Sequence, residues 1–161
     1  MFIRPAVSTD IEAIQELDKE STTYHRKFDR NFYMVSEKWW KIKRNFQLAA
    51  MKDSKNLILV AEDNDEIVGY VWGYVERLNK YNIGKIQELV VSIRHRRKGI
   101  GTRLVKSLLE FFKSKNCIIV EVLVNVKNIA AYKTYKNLGF EEKEYRMQAK
   151  IDKTRKFRPF V

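Results

Sequence analysis

The stretch RHRRKGIGTRL, Arg94 to Leu104, sets four cations in the five residues Arg94 to Lys98, directly before two glycines spaced one apart. The preceding segment KIQELVVS, residues 85–92, is rich in apolar and β-branched residues and predicts a strand. In the following segment Leu104, Val105, Leu108, Leu109 and Phe112 recur at the spacing of an amphipathic helix. A strand must therefore hand over to a helix through Gly99 and Gly101, where the missing β-carbons permit positive φ and a close approach to the main chain. The first N–H groups of a helix lack internal acceptors, and the macrodipole adds about half a positive charge there. Such a turn attracts anions, phosphates above all, and Arg96, Arg97 and Lys98 deepen the same potential.

The rest of the chain surrounds this unit with both kinds of element. FIRPAV, residues 2–7, reads as a short opening strand that Pro5 confines to a sheet edge. Thr9-Asp10-Ile11-Glu12 has a capping-box pattern, and Ile11, Ile14 and Leu17 continue it as a short helix. A second helix is expected from about Ser36 to Met51, with Trp39, Ile42, Phe46 and Ala49 on one face, whereas STTYHRKFDRNFYMV between the two has no period. LILVAED (57–63), a turn at Asn64-Asp65 and EIVGYVWGYVERL (66–78) read as a hairpin. CIIVEVLV (117–124) is nearly all apolar and reads as an interior strand covered on both faces. Asn128 can cap a helix to about Asn137, Gly139 suits the position after its end, and FEEKEYRMQAKI returns as a last strand. The order predicts a mixed α+β fold, a central twisted, mostly antiparallel sheet of about six to seven strands with helices on both faces.

At 161 residues, with six glycines, two prolines and no repeat, the chain is expected to be one domain, 1–161, in which 151–161 form a basic tail or extend the last strand. The longest uncharged stretch, IVGYVWGYV, is less than half of a membrane span, and the N-terminus does not read as a secretory signal. A cytoplasmic location without a membrane partner is expected. Cys117 is the single cysteine, which excludes an internal disulfide and a cysteine-based zinc site. His25 and His95 are isolated, and no metal site is suggested. The 32 Lys and Arg against 20 Asp and Glu, a net charge of +12, favour a polyanionic partner or an anionic ligand. The tail cations Lys150, Lys153, Arg155, Lys156 and Arg158 keep RNA or ribosome association as a rival reading.

Three blocks carry a resemblance. IRPAVSTDIEAI has the form of an opening strand and helix; LVVSIRHRRKGIGTRLV holds Arg96-x-x-Gly99-x-Gly101 between strand and helix; NIAAYKTYKNLGF places Asn128, Tyr135, Gly139 and Phe140 in order. In this order and spacing, over residues 1 to about 150, the sequence resembles the GNAT superfamily of acyl-CoA-dependent N-acetyltransferases. A P-loop would need Gly-x-x-x-x-Gly-Lys-Ser/Thr, and a dinucleotide turn a third glycine where Leu104 stands. Neither pattern is present.

The resemblance implies acetyl-CoA as cosubstrate, its diphosphate held by main-chain N–H groups of Arg97, Lys98, Gly99, Ile100, Gly101 and Thr102 together with cationic side chains, Arg96 among them. It implies that Asn128 bonds the pantetheine arm, that main-chain groups of Leu89, Val90 and Val91 pair with that arm as an added strand, and that Tyr135 protonates the departing thiolate. Tyr132, one turn away, reads as a packing residue. From the residues themselves, a primary amine with a pKa of about 10.4 arrives protonated and needs a base. Glu88 is the candidate, since it alternates with Ile86 and Val90 and apolar neighbours raise a carboxylate's pKa. The same pattern also fits a strand carboxylate paired to a cation. The resemblance places acceptor recognition in residues 18–44, where Tyr24, Phe28, Phe32, Tyr33, Trp39 and Trp40 form either an acceptor pocket or a small core. Glu16, Glu20, Asp29 and Glu37 could meet a cationic acceptor. A protein N-terminus or lysine, a polyamine and an aminoglycoside all stay open, as do a homodimer and, as a rival function, a non-catalytic acyl-CoA-binding regulatory domain.

Overall fold

The computed structural model describes residues 1–29, 35–144, 146 and 147. Its strands are β1 (Phe2–Pro5), β2 (Asn56–Asp63), β3 (Glu66–Leu78), β4 (Tyr81–Val91) and β5 (Cys117–Val122); its helices are α1 (Ile11–His25), α2 (Glu37–Ala50), α3 (Ile100–Ser114) and α4 (Ile129–Lys136). The strands form one sheet in the order β1-β2-β3-β4-β5. The first three pairings are antiparallel and β4 pairs with β5 in parallel, the strand-helix-strand crossover supplied by α3. Pro5 lies in an edge strand as its missing N–H requires, and Asn64 and Asp65 take φ of 49° and 61° in the two-residue turn between β2 and β3.

The sheet separates two cores. On one face α3 packs Leu104, Val105, Leu108 and Phe112 against Val71 and Ile86. A β-carbon on Gly73 would lie 2.6 Å from Phe112, and one on Gly84 2.7 Å from the same ring, so these glycines let α3 approach the strands closely. On the other face Ile14 and Leu17 of α1 and Ala50 of α2 meet Ile58, Val60, Tyr70 and Val90.

Several expectations change. α1 runs on through His25, well beyond the short helix read from Ile11, Ile14 and Leu17. Glu12 bonds Arg44 of α2 at 2.9 Å, while the Asp10 carboxylate accepts the Val7 N–H and both terminal nitrogens of Arg4. α2 is turned inside out: Trp39, Ile42 and Phe46 are exposed, and Lys43, Gln47 and Ala50 face the protein. The periodicity locates the helix, but the polar partners of Lys43 and Gln47 set its rotation. β5 is an edge strand among the described residues, with Ile118 and Ile119 exposed, because an apolar run marks a strand without saying what covers it. Five strands are present among the described residues, against about six to seven expected. Residues 140–144, 146 and 147 of the expected last strand carry no strand, and 145 and 148–151 lie outside the described residues, as does the tail 151–161.

Candidate active site

The turn after β4 has the geometry its glycines allow. Arg97 and Gly99 take φ of 67° and 76°, and Gly99 is the cap of α3, with open space where a β-carbon would stand. Among the described residues, the N–H groups of Arg97 through Thr102 donate to no acceptor, and the first helix bond across the turn runs from Arg103 N to Gly99 O at 3.0 Å. This cradle of unpartnered donors at a helix start fits a diphosphate. Arg97 and Lys98 are exposed beside it. Arg96 Nε donates to Val91 O at 3.1 Å and its guanidinium stacks 4.0 Å from the Tyr24 ring centroid, tying the turn to β4 and α1.

Leading away from the turn, β4 and β5 diverge. Their pairing ends at Ile86 and Val122, so Gln87 to Val91 have no neighbour on the β5 side among the described residues. Leu89, Val90 and Val91 therefore present a free strand edge, the arrangement an extended arm can join by main-chain bonds. α4 packs Ala131 and Tyr135 against the α3 core. Its cap Asn128 accepts the Ala131 N–H at 3.2 Å and places its amide nitrogen 3.2 Å from His25 Nε2, which joins α4 to α1. Tyr135 is buried in the α3 core with its ring edge-on to Phe140 at 5.3 Å, and its hydroxyl makes no hydrogen bond among the described residues. Burial pushes that phenol well above its ordinary pKa. Tyr132, by contrast, is partly exposed and donates to Glu142 at 2.5 Å.

Glu88 does not share a face with both Ile86 and Val90. Trp72 pairs with Glu88 and Gly73 with Ile86, so Gln87 is an extra residue, a β-bulge. Ile86 stays in the α3 core; Glu88 and Val90 point to the α1 and α2 side. There Lys43 Nζ lies 2.7 Å from Glu88 Oε1 and 2.9 Å from Asp18 Oδ1. The Tyr70 hydroxyl reaches Glu88 Oε2 at 2.5 Å and also bonds Asp18 Oδ1. Gln47 donates to Asp18 Oδ2 at 2.9 Å and accepts from Gln15 at 2.7 Å, so the innermost carboxylate is satisfied on both oxygens. Burial, reinforced by the Asp18 charge, raises the Glu88 pKa above the ordinary carboxylate value even against Lys43. Burial disfavours the Lys43 ammonium, but Glu88 and Asp18 outweigh it and hold its pKa above that of a free lysine.

A GNAT acetyltransferase family model matches residues 11–140, which include the turn, the diverging strands and α4. The chain belongs to the acetyltransferase (GNAT) family. This GNAT chain is 33% identical over 147 residues to an uncharacterised N-acetyltransferase of Methanocaldococcus jannaschii, covering 88% of the chain and 61% of that relative. A second uncharacterised N-acetyltransferase of the same organism is 28% identical, with 89% of the chain and 80% of the relative covered. Thus the chain spans about three fifths of the first relative's length and four fifths of the second's. A solved structure of a mutant protein from Bacillus halodurans superposes with a TM-score of 0.83 at 22% identity, covering 94% of the chain and 99% of that structure, and shows the same fold.

Within this GNAT fold two of the acidic residues singled out for an acceptor, Glu16 and Glu20, line one surface pocket with Glu66 and Ser92. Glu16 pairs with Lys19 at the surface, Glu20 accepts the Ile93 N–H, and Glu37 sits exposed in the first turn of α2. Of the aromatic residues, Tyr24 and Phe28 pack edge to face at 5.4 Å, Trp39 is exposed, Trp40 lies 6.0 Å from the Lys43 ammonium, and Phe32 and Tyr33 are outside the described residues. Sequence reasoning missed Asp18, Lys43, Gln47 and Tyr70. A signal for Asp18 was present, because it falls one turn after Ile14 on the apolar face of α1, where a carboxylate needs a partner.

Among the described residues, no helix is long and apolar enough to cross a membrane.

Proposed function

We propose that the chain is an N-acetyltransferase that moves an acetyl group from acetyl-CoA to a primary amine by direct attack on the thioester. The observation that carries this is the succession of three features along β4 and the turn after it: the carboxylate of Glu88, the edge at Leu89 to Val91 that β5 does not pair with, and the unpartnered N–H groups of Arg97 to Thr102. Acetyl-CoA supplies the activated acyl group; the chain's residues bind, orient and move protons. The turn and the edge hold the diphosphate and the arm, with Asn128 as a further contact. Glu88 takes a proton from the acceptor ammonium, and Tyr135 gives one to the leaving sulfur. Because burial keeps the Tyr135 phenol protonated, it serves as an acid without titrating in the working range.

The acceptor is a cationic amine. With Lys43 charged and both carboxylates ionised, the cluster carries one net negative charge, which attracts an ammonium. An α-amino group at a polypeptide N-terminus is the favoured class. An N-alpha-acetyltransferase of Sulfurisphaera tokodaii is 31% identical over 106 residues, and an N-alpha-acetyltransferase 30 of Xenopus laevis is 35% identical over 85. The reaction is set in the cytoplasm.

The test is coenzyme A release with a panel of N-terminal peptides, lysine peptides, polyamines and aminoglycosides, with mass detection of the product. Acetylated peptide α-amines are expected. Acetyl-CoA binding without turnover on any amine would replace the enzyme with an acyl-CoA-binding regulatory domain.

A further inference from the structure

Taking Glu88 as the base proposed above, we infer that Asp18 is its positioning residue, acting through the Tyr70 hydroxyl. A proton taken from the acceptor rests on Glu88 at the head of a hydrogen-bond chain that ends on a buried anion.

The reasoning is a count of hydrogens. The Tyr70 oxygen carries one, yet it lies within bonding reach of Asp18 Oδ1 and, at 2.5 Å, of Glu88 Oε2. With both carboxylates ionised, one of these contacts would set lone pair against lone pair. Both are satisfied when a carboxylic acid donates to the phenol oxygen and the phenol donates to the other carboxylate. The number of donors on each carboxylate decides which group is the acid. Asp18, with a side chain 1% exposed, accepts from Lys43, Gln47 and Tyr70, a set of donors suited to the ionised form. Glu88, 22% exposed, has Lys43 and Tyr70 as its partners among the described residues and is the more accessible of the two carboxylates to an acceptor's proton.

The step balances simply. An N–H bond of the ammonium breaks, an O–H bond on Glu88 forms, and the electron pair left on nitrogen attacks the acyl carbon. Tyr70 keeps its own hydrogen throughout. The cluster passes from a net charge of minus one to zero, so the buried site is less charged after the transfer. The titratable groups facing Glu88 are Asp18 from α1, Lys43 from α2 and Tyr70 from β3. Their signs oppose one another: the Asp18 anion favours protonated Glu88 and the Lys43 cation disfavours it.

The test is the pH dependence of kcat/KM for Asp18→Asn, Tyr70→Phe and Lys43→Met, with acetyl-CoA affinity measured on each to establish a folded site. The acid limb should move to lower pH by about one unit in Asp18→Asn and to higher pH in Lys43→Met. The Asp18→Asn shift should shrink in the Tyr70→Phe background. Independently of turnover, the infrared carbonyl band of a carboxylic acid that grows in as pH is lowered along the acid limb should be absent in Glu88→Gln and move in Tyr70→Phe. Unmoved limbs with intact acetyl-CoA binding, or a carboxylic-acid band that persists in Glu88→Gln, overturn the inference. Full turnover in Glu88→Gln overturns the base itself, a different result from an inactive Glu88→Gln whose partners leave the limb in place.

Discussion

Ile86 and Glu88, two positions apart in β4, lie on opposite faces of the sheet. In a regular strand they would share a face, and Glu88 would be driven among Leu104, Leu108 and Phe112. The bulge at Gln87 prevents this and delivers the carboxylate to Lys43 and Tyr70. Deleting Gln87 leaves Ile86 and Glu88 adjacent, opposite Gly73 and Trp72, so each keeps its face in a regular ladder. The deletion should therefore cost less than about 2 kcal/mol. Urea denaturation would read it, and a loss above about 4 kcal/mol would contradict the role given to the bulge.

Gly73 and Gly84 set the distance between α3 and the sheet. A methyl group at position 73 meets Leu108 and Phe112 within 2.7 Å, and Gly73→Ala should cost about 1–3 kcal/mol through overpacking. Gly99→Ala is expected to behave otherwise. Nothing lies within 4 Å of its added carbon, so its cost, about 1–2 kcal/mol, comes from the left-handed backbone at φ 76°. That cost would fall on the unpartnered amides, and coenzyme A affinity should drop with stability in Gly99→Ala. In Gly73→Ala stability alone should fall, which paired calorimetry and thermal unfolding can separate.

Tyr135→Phe removes a hydroxyl that makes no hydrogen bond among the described residues. Stability should stay within about 0.5 kcal/mol while kcat falls about 10²-fold, with acetyl-CoA affinity retained. Unchanged turnover would remove Tyr135 as the acid. Tyr132→Phe, which loses only a partly exposed bond to Glu142, should leave kcat unaltered.

Arg4 clamps β1 to the start of α1 by bonding Asp10 and Glu62. The Arg4 bond holds the Asp10 carboxyl below its ordinary value, burial opposing it and the Val7 N–H helping. A depressed carboxylate stabilises the fold above its unfolded pKa, about 3.9, and that contribution is lost as pH falls through the lower native value. The urea midpoint should therefore decline below about pH 4 in the wild type. In Arg4→Met the midpoint at pH 7 should start lower and its decline through that window should be shallower.

Features governed by a few neighbouring residues were legible in advance. The turn at Asn64-Asp65, the helix start at Gly99, the Asn128 cap and the positive φ of Gly139 all follow from backbone preference and bonds reaching three or four residues. For the same reason Gly99, Gly101, Asn128 and Tyr135 could be set in order from the sequence, and Glu88 singled out. The rotation of α2 could not be read this way. Its apolar face, Trp39, Ile42 and Phe46, predicts burial, yet Lys43 and Gln47 are turned inward because Asp18 and Glu88 await them from distant parts of the chain.

The sequence by itself determined where a strand gives way to a helix through a turn of unpartnered amides, because φ and the unsatisfied amides of a helix start are local properties. Only the tertiary structure decided which carboxylate meets which cation. Asp18 and Glu88 lie on different elements, 70 positions apart, and their shared contacts with Lys43 and Tyr70 arise from a common buried environment that no single segment contains.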